Sequence, residues 1–134
     1  MTTEPDLFEL LYVSCIAPST DVRAVGQIAR DARASNAMNG ITGLLVFDGQ
    51  RFAQHLEGYA HVVRQLFERI EADSRHMQVQ LLQQCASTQR KFQRFSMGYA
   101  SLGDVEPLQS LELQEGEGAR RAFAEMLPLI DMEP

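Results

Sequence analysis

Ile41-Thr42-Gly43-Leu44-Leu45-Val46-Phe47-Asp48-Gly49-Gln50-Arg51-Phe52-Ala53-Gln54-His55-Leu56-Glu57-Gly58 is the stretch on which the fold turns. Two runs, Ile41 to Phe47 and Arg51 to Glu57, flank Asp48-Gly49. That dipeptide reads as a hairpin turn, because both of its positions favour positive φ in the tight connections that match strand twist. Gly58 ends the second strand. The first run is apolar at nearly every position, the pattern of a strand covered on both faces.

Outward from this hairpin, alternation and helical spacing supply the remaining elements. Upstream, Phe8 to Cys15 predicts a strand. Pro18-Ser19-Thr20-Asp21 predicts a loop running into a helix, with Thr20 or Asp21 as N-cap. That helix extends to about Asn36, with Val22, Val25, Ile28, Ala29 and Ala32 as a narrow stripe of mostly small residues that another group can approach closely. Asn39-Gly40 turns the chain. Downstream, Tyr59 to Asp73 predicts a second helix on a stripe of Val62, Val63, Leu66, Phe67 and Ile70, with Arg64, Gln65, Glu68 and Arg69 mostly off it. Ser74-Arg75-His76 is its exit loop. Val79 to Cys85 and Phe95 to Ala100 predict two more strands, joined through a solvated basic connection at Gln89-Arg90-Lys91. Gly103 to Gly118 reads as a connector with a short helix at Pro107 to Leu111, and Phe123, Met126, Leu127 and Ile130 recur at the spacing of an amphipathic helix.

The order β-α-β-β-α-β-β predicts an α+β, ferredoxin-like sheet with both helices on one face and the C-terminal helical segment covering the other. The chain divides at 1–102 and 103–134, a sensor-sized unit followed by a connector and helix. With 134 residues, 45% of them hydrophobic and 22% charged, it has the composition of one globular domain. Twelve basic residues against 18 acidic ones give a net charge of −6, which argues against nucleic acid or an anionic membrane as partner. The polar, acidic start Met1-Thr2-Thr3-Glu4-Pro5-Asp6 is no signal peptide, and no run approaches a membrane span. These features predict a cytoplasmic protein. Cys15 and Cys85 lack a C-x-x-C pattern and predict buried free thiols.

Three strand-like runs each carry one polar or polarisable residue among apolar neighbours: Tyr12 between Leu10 and Ser14, Gln54 between Phe52 and Leu56, and Met97 between Phe95 and Tyr99. A phenol and a carboxamide facing a core need partners. If the three strands present them to one space, they line a polar spot in an apolar wall, suited to proton or electron handling. A Tyr–Gln pair can act as a two-state hydrogen-bond switch, since the carboxamide can reverse its donor and acceptor. Asn36 offers paired donor and acceptor contacts to the edge of a planar ligand, and Arg69, Arg75 and His76 suit phosphate or ring contacts. Taken singly, each also fits a structural role: Tyr12 at a rim, Gln54 exposed, Met97 as core filler, Asn36 as a C-cap, Ser14 as a small strand residue, Arg69 and Arg75 as helix-end charges, His76 as a loop histidine. The case rests on their joint placement. There is no G-x-G-x-x-G, Walker A, H-E-x-x-H or G-x-S-x-G motif. His55, His61 and His76 are too scattered for a metal site, and Glu57 and Asp73 have no evident acid–base partner.

The blocks Leu11-Tyr12-Val13-Ser14, Asn36 with Asn39-Gly40-Ile41-Thr42-Gly43-Leu44-Leu45, Phe52-Ala53-Gln54-His55-Leu56-Glu57-Gly58, Arg69-Ile70-x-x-Asp73-x-Arg75-His76 and Phe95-Ser96-Met97-Gly98 resemble, in order, the BLUF domains, blue-light sensors that use FAD. The resemblance runs from about Leu7 to Tyr99. It implies that Tyr12 is the photochemical electron and proton donor, that Gln54 changes its hydrogen bonding to the ring after light, and that Ser14 and Met97 border the pair. It implies further that Asn36 holds the C4=O and N3–H edge of the flavin, with Ile28, Leu45, Phe52 and Ile70 as walls. Arg75 and His76 would contact the ring, while Asp73 and Arg69 reach the ribityl or phosphate end. FAD is the cofactor implied, with FMN or riboflavin as substitutes.

By the same resemblance the protein is a sensor and not an enzyme. Its output is a small, dark-reversible red shift and a relay through the fifth strand. The chain departs from many relatives in having Phe95 where they carry Trp, and it has no Trp at all. Tyr12 is then the expected sole donor. Ser35 stands where relatives often have Asn or His, which predicts looser flavin binding or a substituting water. With about thirty-five residues beyond the sensor core, the expected route of the signal is to a separate protein, and a homo-oligomer is expected. Two other classes compete. A light-insensitive interaction module of this fold would have no reason to keep Tyr12, Asn36 and Gln54 together. An acylphosphatase-like hydrolase would need a basic residue in the loop Ala17 to Asp21, which has none.

Overall fold

The computed structural model describes residues 6–92, 97–129 and 131–133. The expectations for the first five residues, Phe95 and Ile130 fall outside them. Strands β1 (Leu7–Ile16), β2 (Thr42–Phe47), β3 (Arg51–Tyr59), β4 (His76–Ala86), β5 (Gly98–Ser101) and β6 (Asp131–Glu133) form one sheet in the order β4-β1-β3-β2-β5-β6. β3 runs antiparallel to both β1 and β2. β1 and β2 are therefore parallel to each other, with α1 (Val25–Met38) as their crossover: the split βαβ unit of a ferredoxin-like sheet. β5 adds parallel to β2, and β6 antiparallel to β5. β6 extends the sheet beyond the five expected strands.

The two faces of the sheet carry two cores. Leu10, Tyr12, Leu45, Phe47, Phe52, Leu56 and Met97 pack with Val25, Ala29, Val63 and Phe67 of α1 and α2 (Ala60–Ala72). Leu11, Val13, Leu44, Val46, Ala53 and Ala100 pack with Leu108 and Leu111 of α3 (Glu106–Leu111) and with Ala119, Phe123 and Met126 of α4 (Gly116–Met126). Period-2 alternation along β1, β2 and β3 sends alternate residues to alternate cores, which is why their sequences look apolar throughout. Arg51 fastens the second layer by donating to both carboxylate oxygens of Glu112 at the end of α3, at 3.0 and 3.2 Å.

Several local expectations are corrected. The β2–β3 turn has positive φ at Gly49 alone. Asp48 keeps ordinary backbone geometry because its carboxylate accepts the N–H groups of Gln50 and Arg51, at 2.8 and 2.7 Å, and closes the turn from its side chain. Asp21 does cap, but it caps a 3-10 turn (Val22–Ala24) that precedes α1, and Val22 is 53% exposed rather than part of the buried stripe. β4 starts at His76, three residues early, because the edge strand continues its pairing along β1 as far as Ile16. β5 begins at Gly98, which leaves Met97 just ahead of the strand rather than within it. Cys15 is half-buried because it lies at the C-terminal end of β1, and Cys85 is exposed on the edge strand β4. The Gln89-Arg90-Lys91 connection is docked, not merely solvated: the Lys91 and Phe92 N–H groups donate to the Glu57 carboxylate, and Lys91 Nζ donates to Glu9.

Candidate functional site

Register places the site. Tyr12 of β1 lies directly opposite Gln54 of β3, and Gln54 lies opposite Leu45 of β2. Directly opposed side chains on one face approach within contact distance. The Tyr12 hydroxyl donates to Gln54 Oε1. Gln54 Nε2 points the other way, 3.2 Å from Met97 Sδ. A phenol, a carboxamide and a thioether thus form one row, with Tyr12 and Met97 each 1% exposed and Gln54 4%. Ser14, one pleat further along β1, has its Oγ 2.8 Å from His76 Nδ1. The His76 ring lies edge-on to Tyr12 and tilted against Phe52, with the Phe52 centroid 4.7 Å away.

A cavity of about 230 Å³ opens above this row, between α1 and α2. Ile28, Ala32 and Asn36 line it from α1, Leu66, Arg69 and Ile70 from α2, and Tyr12, Leu45 and Gln54 from the sheet. Asp31, Asp73, Arg75 and His76 complete the wall. Asn36 is buried in the last turns of α1, while Asn39 takes the C-cap. Two buried carboxamides therefore border an apolar slot framed by aliphatic side chains from two helices. That donor set suits a flat heteroaromatic ring with an amide-like edge.

Electrostatics separate the two ends of the cavity. Burial pushes the Tyr12 phenol well above its ordinary value, and the Asp73 carboxylate adds in the same direction. Tyr12 is therefore a neutral O–H donor. The Arg75 side chain, on both Asp73 oxygens, holds that carboxyl below its usual value against the opposing effect of burial. Burial pulls His76 below its ordinary value, although Asp73 opposes this. Asp31 and Arg69 are exposed, so the cavity's charged residues lie toward water and its neutral polar ones toward the sheet.

Of the residues singled out from sequence, Ile28, Asn36, Leu45, Gln54, Arg69, Ile70, Asp73, Arg75, His76 and Tyr12 meet at this cavity. Ser14 and Met97 stand behind it, on His76 and Gln54. Phe52 does not line it. This ring stacks on Phe47 and is fully buried, supporting His76 from below. Ser35 is exposed, off the cavity. Asp31, Ala32 and Leu66 line the wall without having been singled out for the site, although i, i+3, i+4 spacing from Ile28 and Ile70 puts them on the same helix faces.

Comparison with known proteins agrees with this geometry. A family model for sensors of blue light using FAD (BLUF) matches residues 7–98. The blue light- and temperature-regulated antirepressor BluF of Escherichia coli (strain K12) is 32% identical over 73 residues, which is 54% of this chain but only 18% of that protein. The photo-activated state of BlsA superposes with a TM-score of 0.81 at 27% identity, covering 96% of this chain and 99% of the other. The dark-state structure of BlrB, a BLUF protein, gives 0.73 at 31% identity, covering 91% and 98%.

Proposed function

This chain belongs to the BLUF family; we propose that it is a flavin photoreceptor that signals through its Tyr12–Gln54 hydrogen bond, with FAD as its flavin, seated between α1 and α2, and its output passing to a separate protein. The observation that carries this reading is the row itself. Tyr12 donates to Gln54 Oε1 while Gln54 Nε2 faces Met97, at the wall of a cavity that also holds Asn36.

The residues present fit the flavin: Asn36 and Gln54 offer both donors and acceptors to a ring edge, Ile28 and Ile70 offer apolar contact, and Arg69 and Arg75 suit a phosphate-bearing tail at the charged end. When bound, the flavin supplies blue absorption and, once excited, an oxidant strong enough to take an electron from a phenol. Tyr12 holds its proton in the dark, because burial disfavours the phenolate. Loss of an electron makes a phenol strongly acidic, and its proton then has one prepared path, along the bond to Gln54 Oε1. When the electron and proton return, Tyr12 is restored. Gln54 is left rotated or in its other tautomer, with its donor and acceptor exchanged. The contact to Met97 is then broken or replaced. Met97 adjoins β5, and β5 lies in the layer contacted by the C-terminal segment. Residues 1–102 act as the sensor and 103–134 as the element that presents the change. The chain is a signalling module rather than an enzyme, and homo-oligomerisation is part of the proposal.

The absorption spectrum of the purified protein before and after blue light is the test. An oxidised-flavin spectrum that shifts slightly red and relaxes in darkness is expected. A flavin spectrum without the shift refutes the Tyr12–Gln54 switch, and a colourless protein that refuses added FAD refutes flavin binding.

A further inference from the structure

The face of the sheet opposite the flavin cavity gathers a second set of buried polar groups. Glu9 of β1 and Glu57 of β3 are directly paired across the sheet, and His55 lies two residues along β3 on the same face. None is more than 4% exposed. His55 Nε2 lies 3.4 Å from Glu9 Oε2 and 3.4 Å from Glu57 Oε2. The His55 ring sits edge-on to Phe92 and stacked on Phe123. Among the described residues Nε2 has no hydrogen-bond partner. A buried imidazole nitrogen aimed between two carboxylates without a hydrogen bond is a costly arrangement, and it has the form of a ligand set.

We propose that Glu9, His55 and Glu57 form a binding site for a divalent transition cation of the Zn²⁺ class. The three ligand atoms lie within 4.8 Å of one another. A tetrahedral centre with bonds of about 2.0–2.1 Å holds its ligands about 3.3–3.4 Å apart, the separation His55 Nε2 already has from each carboxylate. Glu57 is oriented as a ligand. Its Oε1 accepts from Thr42 Oγ1 and the Phe92 N–H, at 2.9 and 2.7 Å, and its Oε2 accepts from the Lys91 N–H at 2.8 Å. Of about four acceptor positions on a carboxylate, one remains, on the oxygen nearest His55. Glu9 is less committed: Oε1 accepts from Cys85 Sγ at 3.3 Å and Oε2 from Lys91 Nζ at 2.5 Å. The Lys91 ammonium is thus the direct counter-ion of the pair, and it competes with a metal ion. Its side chain is 40% exposed and can swing into water. Arg90 bonds the Thr42 hydroxyl and the Glu57 backbone carbonyl.

The test is titration of the metal-stripped full chain with Zn²⁺ by calorimetry and with Co²⁺ by absorption, where four-coordinate ligand-field bands fall to the red of flavin absorption. One equivalent is expected to bind with those bands. His55→Gln is expected to weaken binding by at least about ten-fold and remove them. Lys91→Met is expected to tighten binding, because the competing ammonium is gone. This variant alters a partly exposed side chain and decides the matter should His55→Gln fail to fold. Wild-type protein that takes up no stoichiometric ion, binding that His55→Gln leaves unchanged, or affinity that Lys91→Met does not raise would each overturn the proposal.

Discussion

Tyr12 and Gln54 depend on each other in a way that a double-mutant cycle reads directly. Tyr12→Phe removes the donor to Gln54 Oε1. Gln54→Leu removes the acceptor and strands a hydroxyl on a residue that is 1% exposed. Leaving one buried partner unsatisfied costs about 1–3 kcal/mol, whereas removing both partners with shape retained is nearly neutral. Both residues border the cavity, so in flavin-free protein water can reach the stranded group, which puts each single variant in the lower part of that range, about 1–2 kcal/mol. The double variant should then cost less than the sum by about 1 kcal/mol or more. With a urea slope of about 1–3 kcal/mol/M, each single change moves the unfolding midpoint by roughly 1 M. Urea unfolding of the four flavin-free proteins, followed by far-UV circular dichroism, measures this. If the two single costs add to within about 0.5 kcal/mol, the bond contributes nothing as a pair, and the switch loses its structural basis.

In flavin-loaded protein, Tyr12→Phe is expected to abolish the reversible red shift, since the chain has no Trp to donate in its place; a full shift in this variant sinks the Tyr12-only pathway. Gly43→Ala should destabilise by about 1–3 kcal/mol, because a Cβ there would lie 2.1 Å from the His55 carbonyl oxygen and drive β2 from β3; an unchanged unfolding midpoint would contradict that close approach. Phe52→Ala should cost about 3–5 kcal/mol in the same assay, as the ring is fully buried between Phe47 and His76. Acid should weaken the second face. Burial alone would raise Glu57, but the nearby His55 ring and hydrogen bonds from the Lys91 and Phe92 N–H groups and the Thr42 hydroxyl outweigh it and hold the carboxyl below its ordinary 4.5. Its stabilisation is complete above that value and is lost as pH falls through the lower native-state value. The stability gap between wild type and Glu57→Gln should therefore close on acidification, and a gap that widens would reverse the sign of this argument.

Much of the fold was legible because its signals are local. Hydrophobic spacing located both long helices, and Asp48-Gly49 located the hairpin although it misassigned how the turn is built. A positive φ at Gly49 needs no partner, whereas the Asp48 side-chain contacts that spare Asp48 one are visible only once the turn has closed. The strand boundary at His76 escaped because the length of an edge strand is set by what its neighbour offers for pairing, here Cys15 and Ile16. β6 escaped because three residues carry too little periodicity to be read.

The site divides in the same way. The sequence by itself determined which chemistry was present: a tyrosine, a glutamine and an asparagine among apolar runs, in the order that resembles flavin-based light sensors. Residue type and alternation are properties of the chain. Tertiary structure alone decided that Tyr12 and Gln54 are opposite each other, that Met97 faces the amide, and that Phe52 supports His76 instead of the cavity. It also decided that Glu9, His55 and Glu57, separated by up to 48 positions, share one buried spot on the far face. Register and layer packing are long-range properties, since a one-residue slip of β1 against β3 would leave every residue type in place and turn Tyr12 and Glu9 to the sides of the sheet opposite Gln54 and Glu57.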